Sequence, residues 1–148
     1  MIVLDANALM MPVECDVRVF EQLDRVAADL TDVDASADSD AESGDDAVAS
    51  GGFEPAVPRA VVEELDRLST GAGEAATAAG VGLDLAREHC RVLDHDAEHG
   101  DAAVFECATR EGARAAVTND GPLRSRLIDA DVPVISLRGG NKLAVTRP

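Results

Sequence analysis

Five short apolar runs, separated by segments of helical periodicity, limit what this chain can fold into. Ile2-Val3-Leu4 stops at Asp5 and reads as a buried strand. Val19, Phe20, Leu23, Ala27 and Leu30 then recur at helical spacing. Strand character returns at Phe53–Val57, and Pro58 stands where proline is tolerated, at the start of a helix running to about Ser69. A second, alanine-rich helix follows, weakened by Gly80 and Gly82. Arg91–Leu93 is a strand, residues 101–112 a helix, Arg114–Thr118 a strand, Leu123–Ala130 a helix and Val132–Leu137 a last strand. Such alternation predicts an α/β fold of three layers, a parallel sheet covered by helices on both faces. Ligands of open sheets of this kind bind beyond the carboxyl ends of the strands.

A length of 148 residues suits one domain, 1–148, with a real core. Aromatics are only 2% of the chain, so that core must be built from Val, Leu, Ile and Ala. The net charge is −16, and Lys142 is the only lysine among 13 basic residues. Residues 29–46 hold eight acids and no base, yet the remainder still carries −8. Either the protein repels nucleic acid, or it is adapted to concentrated salt, where the Debye length shrinks to about 3 Å. Acidity, near-absent lysine and few large hydrophobes together favour salt. Residues 31–52, without periodicity, read as a flexible acidic loop inside the domain. Cys15, Cys90 and Cys107 form no CxxC pair, and no apolar run reaches about 18 residues, so neither a signal peptide nor a membrane span is expected. These features predict a cytoplasmic protein with reduced thiols, no zinc site and no membrane partner.

The acids at the ends of these runs carry the chemistry. Asp5 ends the first strand, Asp120 follows the fourth in Val117-Thr118-Asn119-Asp120, and Asp101 opens a helix after the third. Parallel strands put all three at one end of the sheet. Glu64 joins them through helix phase. With Val61, Val62, Leu65 and Leu68 as the apolar stripe, a turn of about 100° per residue puts Glu64 at its edge and Glu63 opposite. Four close carboxylates repel one another, and at least one should have a raised pKa. Mg²⁺ or Mn²⁺ relieves that repulsion, and such ions activate water for in-line phosphoryl displacement. The plainer reading of Asp101 and Asp120 is as helix caps, and of Glu64 as a surface glutamate.

At these residues the sequence resembles the PIN-domain ribonucleases. The motifs are Leu4-Asp5-Ala6-Asn7-Ala8-Leu9-Met10, Val57-Pro58 leading to Val62-Glu63-Glu64-Leu65, Asp101-Ala102-Ala103-Val104-Phe105-Glu106-Cys107-Ala108, and Thr118-Asn119-Asp120 with Leu123 and Leu127 behind it. They cover residues 1 to about 137 in order. Arg138-Gly139-Gly140-Asn141-Lys142-Leu143 is similar to the tail of the archaeal branch related to eukaryotic rRNA-processing PIN proteins; VapC-type toxins are more distant. Ala6 replaces a commoner Thr, and Gly100 stands where a second Asp often does. The resemblance implies a five-stranded parallel sheet and cleavage of single-stranded RNA with Mg²⁺ or Mn²⁺. It implies that Asp5, Glu64, Asp101 and Asp120 hold the metal, and that Asn7, Thr118 and Asn119 position side chains or phosphate. It also allows a homodimer, and an antitoxin or a ribosome-associated partner.

His95 and His99 have metal-ligand spacing, but Gly100 follows at once and no third ligand is evident, which favours a solvated loop. From Pro122 to Pro148, Arg124, Arg126, Arg138, Lys142 and Arg147 against Asp129 and Asp131 leave +3, with 138–148 as a basic tail. Arg124 and Arg138 could there steer phosphate toward the acids. The absence of Trp and Tyr argues against base stacking. A phosphoacceptor receiver domain would need a lysine after the last strand, and Lys142 lies too far out. A haloacid-dehalogenase-type phosphatase would need Asp where Asn7 stands. A PIN scaffold that binds RNA or ribosomal particles without cutting is the remaining alternative.

Overall fold

The computed structural model describes residues 1–15, 17–35, 53–139 and 142–148, with the side chains of 29 and 31–35 left aside. In chain order the described elements are β1 (Ile2–Leu4), α1 (Ala6–Glu14), α2 (Val19–Ala35), β2 (Pro55–Pro58), α3 (Arg59–Ser69), α4 (Gly73–His89), β3 (Arg91–Leu93), α5 (Gly100–Ala108), β4 (Ala115–Val117), α6 (Gly121–Asp129), β5 (Val134–Arg138) and β6 (Lys142–Thr146). The strands form one sheet in the order β3-β2-β1-β4-β5-β6. The first five are parallel, and β6 runs antiparallel to β5.

This order reverses direction at β1. The chain steps outward to β2 and β3, then crosses back to β4 on the other side of β1. Crossovers between parallel strands are right-handed, so the two directions send their helices to opposite faces. Packing agrees: α4 lies against α1 and α3, while α5 lies against α6, β1 and β2 and also meets α3. The reversal opens a crevice at the carboxyl ends of β1 and β4, the usual ligand position in doubly wound sheets.

The core follows from the composition. Ile2, Val3, Leu4, Val57, Val117, Val134 and Ile135 are buried along the strands, and Leu9, Leu65, Leu123 and Leu127 close over them from the helices. Each such side chain contributes about 1.5–3 kcal/mol when fully buried. Small residues allow close approach, and Gly82 is the clearest case. A β-carbon there would meet the Leu9 carbonyl oxygen at 2.8 Å, so α4 packs against the α1 backbone only because position 82 is glycine. The glycines expected to weaken α4 leave it continuous over Gly73–His89.

Three other expectations are corrected. The sheet has six strands, not five: Gly139 turns the chain at φ +74°, and 142–146 return as β6, so most of the expected basic tail is strand. Leu143, buried, explains the pairing. Helix α1 was unexpected, because Pro12 stands inside it; its start is secured by Asp5 rather than by periodicity. Helix α2 extends to Ala35, five residues into the segment read as an acidic loop, since no Gly or Pro stops it there. The rest of that segment lies outside the described residues.

Candidate active site

The acids at the carboxyl end of the sheet divide into two pairs. The first pair is built around the crevice. Asp5 N–H extends the β1–β4 pairing by donating to Val117 O at 3.2 Å. The Asp5 side chain then caps α1, Oδ1 accepting from Ala8 N at 2.9 Å. Its Oδ2 accepts from the Thr118 hydroxyl. Thr118 Oγ1 in turn accepts from Asp120 N at 3.1 Å, and Asp120 Oδ2 caps α6 through Leu123 N at 2.9 Å. One threonine thus joins the two aspartates across the point where the strand order reverses.

Asp5 is only 4% exposed. Burial pushes its carboxyl up to about 6 from the ordinary 3.8; the hydrogen bonds from Thr118 and Ala8 oppose this, and the charges of Asp101 and Asp120 add to it. The raised carboxyl expected from sequence is therefore Asp5, with burial first among the causes and repulsion by its neighbours a lesser one.

The second pair is unbolted. Glu64 is half-buried on α3, between buried Val61 and Leu65, while Glu63 is exposed and pairs with Arg59 at 3.7 Å. Helix phase distinguished the two glutamates as expected, although Leu68, assigned to the apolar stripe, is 37% exposed. Asp101 is exposed in the first turn of α5, and the N-cap there is His99, whose side chain makes no capping bond. The side chains of Glu64 and Asp101 make no hydrogen bond or ion pair with another described residue.

Asp5, Asn7, Glu64, Gly100 and Asp101 line one cleft of about 230 Å³, with Met10, Val61 and Leu68 as its apolar wall. Asp120 does not line it and is linked to it through Thr118, which bonds both aspartates. Larger hollows of about 320 and 260 Å³ lie around Phe20, far from this chemistry, and each has one carboxylate, Glu21 or Asp24, in its lining. The all-oxygen donors of the cleft suit a hard divalent cation. Among the described residues, however, the acids do not draw together into a group of three that could close around an ion.

The family model described as PIN like domain matches residues 2–37 and 46–140. The chain belongs to this family. Among solved structures it is similar to the PIN domain endonuclease Utp24, with a TM-score of 0.69 at 18% identity, covering 99% of this chain and 91% of that one. No curated protein sequence matches.

Within this PIN-like domain the other expected residues take varied places. Asn7 is exposed at the cleft. Thr118 is fully buried, and its hydroxyl is taken up by Asp5 and Asp120. Asn119 Oδ1 accepts from Leu137 N at 2.8 Å and Nδ2 donates to Met11 Sδ at 3.5 Å, so its amide ties β5 to α1. Arg124 lies one turn into α6 and Arg138 at the exposed end of β5; neither lines the cleft. Arg138 faces Lys142 across the β5–β6 pairing, which makes an exposed basic pair at the carboxyl end of β5.

The loop is exposed as expected at Asp94, Asp96, Glu98 and His99, and His95 is the exception. It is 9% exposed; Nε2 accepts from Ala60 N at 3.0 Å, and Nδ1 faces Ala97 O at 2.9 Å. With Nε2 accepting, this pairing selects the tautomer that carries its proton on Nδ1. Pro58 supplies no capping side chain to α3, and His95 takes that role from the next strand's loop. Glu106 holds the same loop by accepting from Asp96 N and Ala97 N, both at 3.0 Å, and the Asp96 amide chiefly keeps its carboxyl below the ordinary range. The sequence signal was the bare proline at the start of α3, which leaves a cap to be supplied from elsewhere.

Proposed function

We propose that this PIN-like domain is a Mg²⁺- or Mn²⁺-dependent endoribonuclease that hydrolyses phosphodiester bonds of single-stranded RNA. The observation that carries the reading is the cleft itself: three acids from three elements line one hollow at the strand-order reversal, and the buried one has a raised affinity for its proton. Asp5, with the unbonded side chains of Glu64 and Asp101 drawn in toward it, would hold the ion, and Asp120, joined to Asp5 through Thr118, would add negative charge. A bound divalent ion would supply a nucleophilic water at neutral pH and offset charge on the phosphate oxygens. The protein's part is to hold the acids apart from bulk water on one side and open to a strand on the other. Water gives up one proton to solvent as its oxygen bonds to phosphorus, the bond to the leaving ribose oxygen breaks, and that oxygen takes a proton from solvent in return. Asn7 at the cleft mouth can donate to a phosphate oxygen. Arg138 and Lys142 offer the strand a basic landing in an otherwise acidic protein. The substrate would be an rRNA precursor or, for a toxin-like protein, a cellular RNA held in check by an antitoxin; a homodimer fits either.

A second reading, a non-cleaving scaffold on RNA or ribosomal particles, is favoured by one observation: the acids stand apart among the described residues. Incubation of the pure protein with structured RNA in high salt separates the two. Hydrolysis is expected with Mn²⁺ or Mg²⁺, and its loss with chelator or in Asp101→Asn. Cleavage unchanged by either treatment sinks the mechanism, and RNA binding with metal but no cleavage leaves the scaffold.

A further inference from the structure

Gly100 has no conformational reason to be glycine. It is the first residue of α5, and its φ is not among the positive values found at Gly73, Gly112 and Gly139. Glycine at a helical position is a cost relative to alanine. The reason lies across the cleft. A β-carbon at position 100 would stand 2.8 Å from Glu64 Oε1 and 4.0 Å from Glu64 Cδ, with Val61 Cγ2 in ordinary contact at 3.9 Å. Among the described glycines, this is the one whose missing side-chain space is taken up by a carboxylate.

We propose that Gly100 is a positioning residue: its missing β-carbon lets the Glu64 carboxylate reach from α3 to the first turn of α5, so that Glu64 and Asp101, carried on different helices, share one cleft. The proposal rests on the reading of these two acids as metal-holding groups. The atom in the way is the far end of a flexible side chain, not backbone. A methyl group at position 100 therefore moves the carboxylate and leaves α3 and α5 where they are.

Three measurements on Gly100→Ala test this. The crystal structure of the metal-free variant should show Glu64 swung off α5. Calorimetric titration with Mn²⁺ alone should show affinity lowered roughly tenfold, the scale of disturbing a group that orients a metal site. The melting temperature should hold or rise, because alanine favours the helix. Glu64→Asp, shorter by one methylene, supplies the rescue: in that background Gly100→Ala should add little further loss of Mn²⁺ affinity, a non-additivity expected only of coupled positions. Glu64 unmoved in Gly100→Ala overturns the proposal, as does an affinity loss that adds in full to that of Glu64→Asp. A lowered melting temperature with Glu64 in place would make position 100 a packing site instead. Full Mn²⁺ affinity in Glu64→Gln would remove the metal-site reading on which the proposal rests, whereas the displacement of the carboxylate is read from the metal-free crystal structure on its own.

Discussion

The two sides of the acidic site are built on different principles. On the β1–β4 side, Asp5 and Asp120 each cap a helix and share Thr118, so backbone hydrogen bonds dictate where their oxygens lie. On the α3–α5 side, the side chains of Glu64 and Asp101 have no hydrogen bond or ion pair with any described residue. One side is set by the fold whether or not anything binds; the other is free to be gathered by a ligand. The difference shows why one carboxylate can be a cap and a candidate metal donor at once. Capping occupies one lone pair of an oxygen that has two, and it fixes the donor's direction without using up its charge.

The largest effect should come from breaking the rigid side at its centre. Asp5→Asn is expected to lower RNA cleavage on the order of 10³-fold, the scale of several kcal/mol of lost charge stabilisation. The same change should stabilise the metal-free protein. Folded Asp5 holds its proton up to about pH 6, against 3.8 for the ordinary group, so its contribution is full below about pH 4 and is lost as pH rises through 6. Denaturation at pH 8 should therefore find the variant more stable by about 1–3 kcal/mol, and the decline of wild-type stability between pH 4 and 6.5 flattened. A variant less stable at pH 8 would mean that the Asp5 charge is satisfied by its bonds.

The loose side should respond otherwise. Asp101→Asn and Glu64→Gln are expected to lower cleavage about 10²-fold while changing stability by no more than about 0.5 kcal/mol, as surface substitutions do. Matched kinetics and urea unfolding would decide; loss of stability comparable to that of a core variant would erase the contrast between the sides. Thr118→Val keeps the volume and removes the joint. It leaves Asp120 N and Asp5 Oδ2 without their partner, at a cost of about 1–3 kcal/mol in chemical denaturation, and it should move the Asp5 titration, followed by carboxyl NMR, still higher. The smallest effect is expected at His95. His95→Ala removes the cap of α3 and should cost about 0.5–2 kcal/mol, with His95→Asn recovering part of it; faster hydrogen exchange at the Ala60 amide would localise the loss.

The legible part of the site was the part that depends on chain topology and helix phase. Asp5 stands immediately after an apolar run and Asp120 within three residues of another, so a parallel sheet alone brings them to one end. Phase separated Glu64 from Glu63. Capping, weighed for Asp101 and Asp120, is found at Asp120 and Asp5, whereas Asp101 caps nothing. The features missed depend on partners distant in sequence. The buried state of His95 depends on an amide 35 residues earlier, and β6 depends on a glycine turn followed by one buried leucine. Helix α1 went unread because a proline hides it, and its start is fixed by a side chain that sequence reading assigns to chemistry alone.

The Thr118–Asp5 hydrogen bond spans 113 residues, and β1 lies between β2 and β4 in the middle of the sheet. Leu143, near the other end of the chain, exchanges backbone bonds with the side chains of Gln22 and Arg25 on α2, which covers that sheet edge. During synthesis Asp5 therefore emerges 113 residues ahead of the hydroxyl that orients it. Pairings between such distant segments form late. A chain made only as far as β3 has the acid but no hydroxyl to aim it, so whatever this cleft does is withheld until β4 and Thr118 have joined β1.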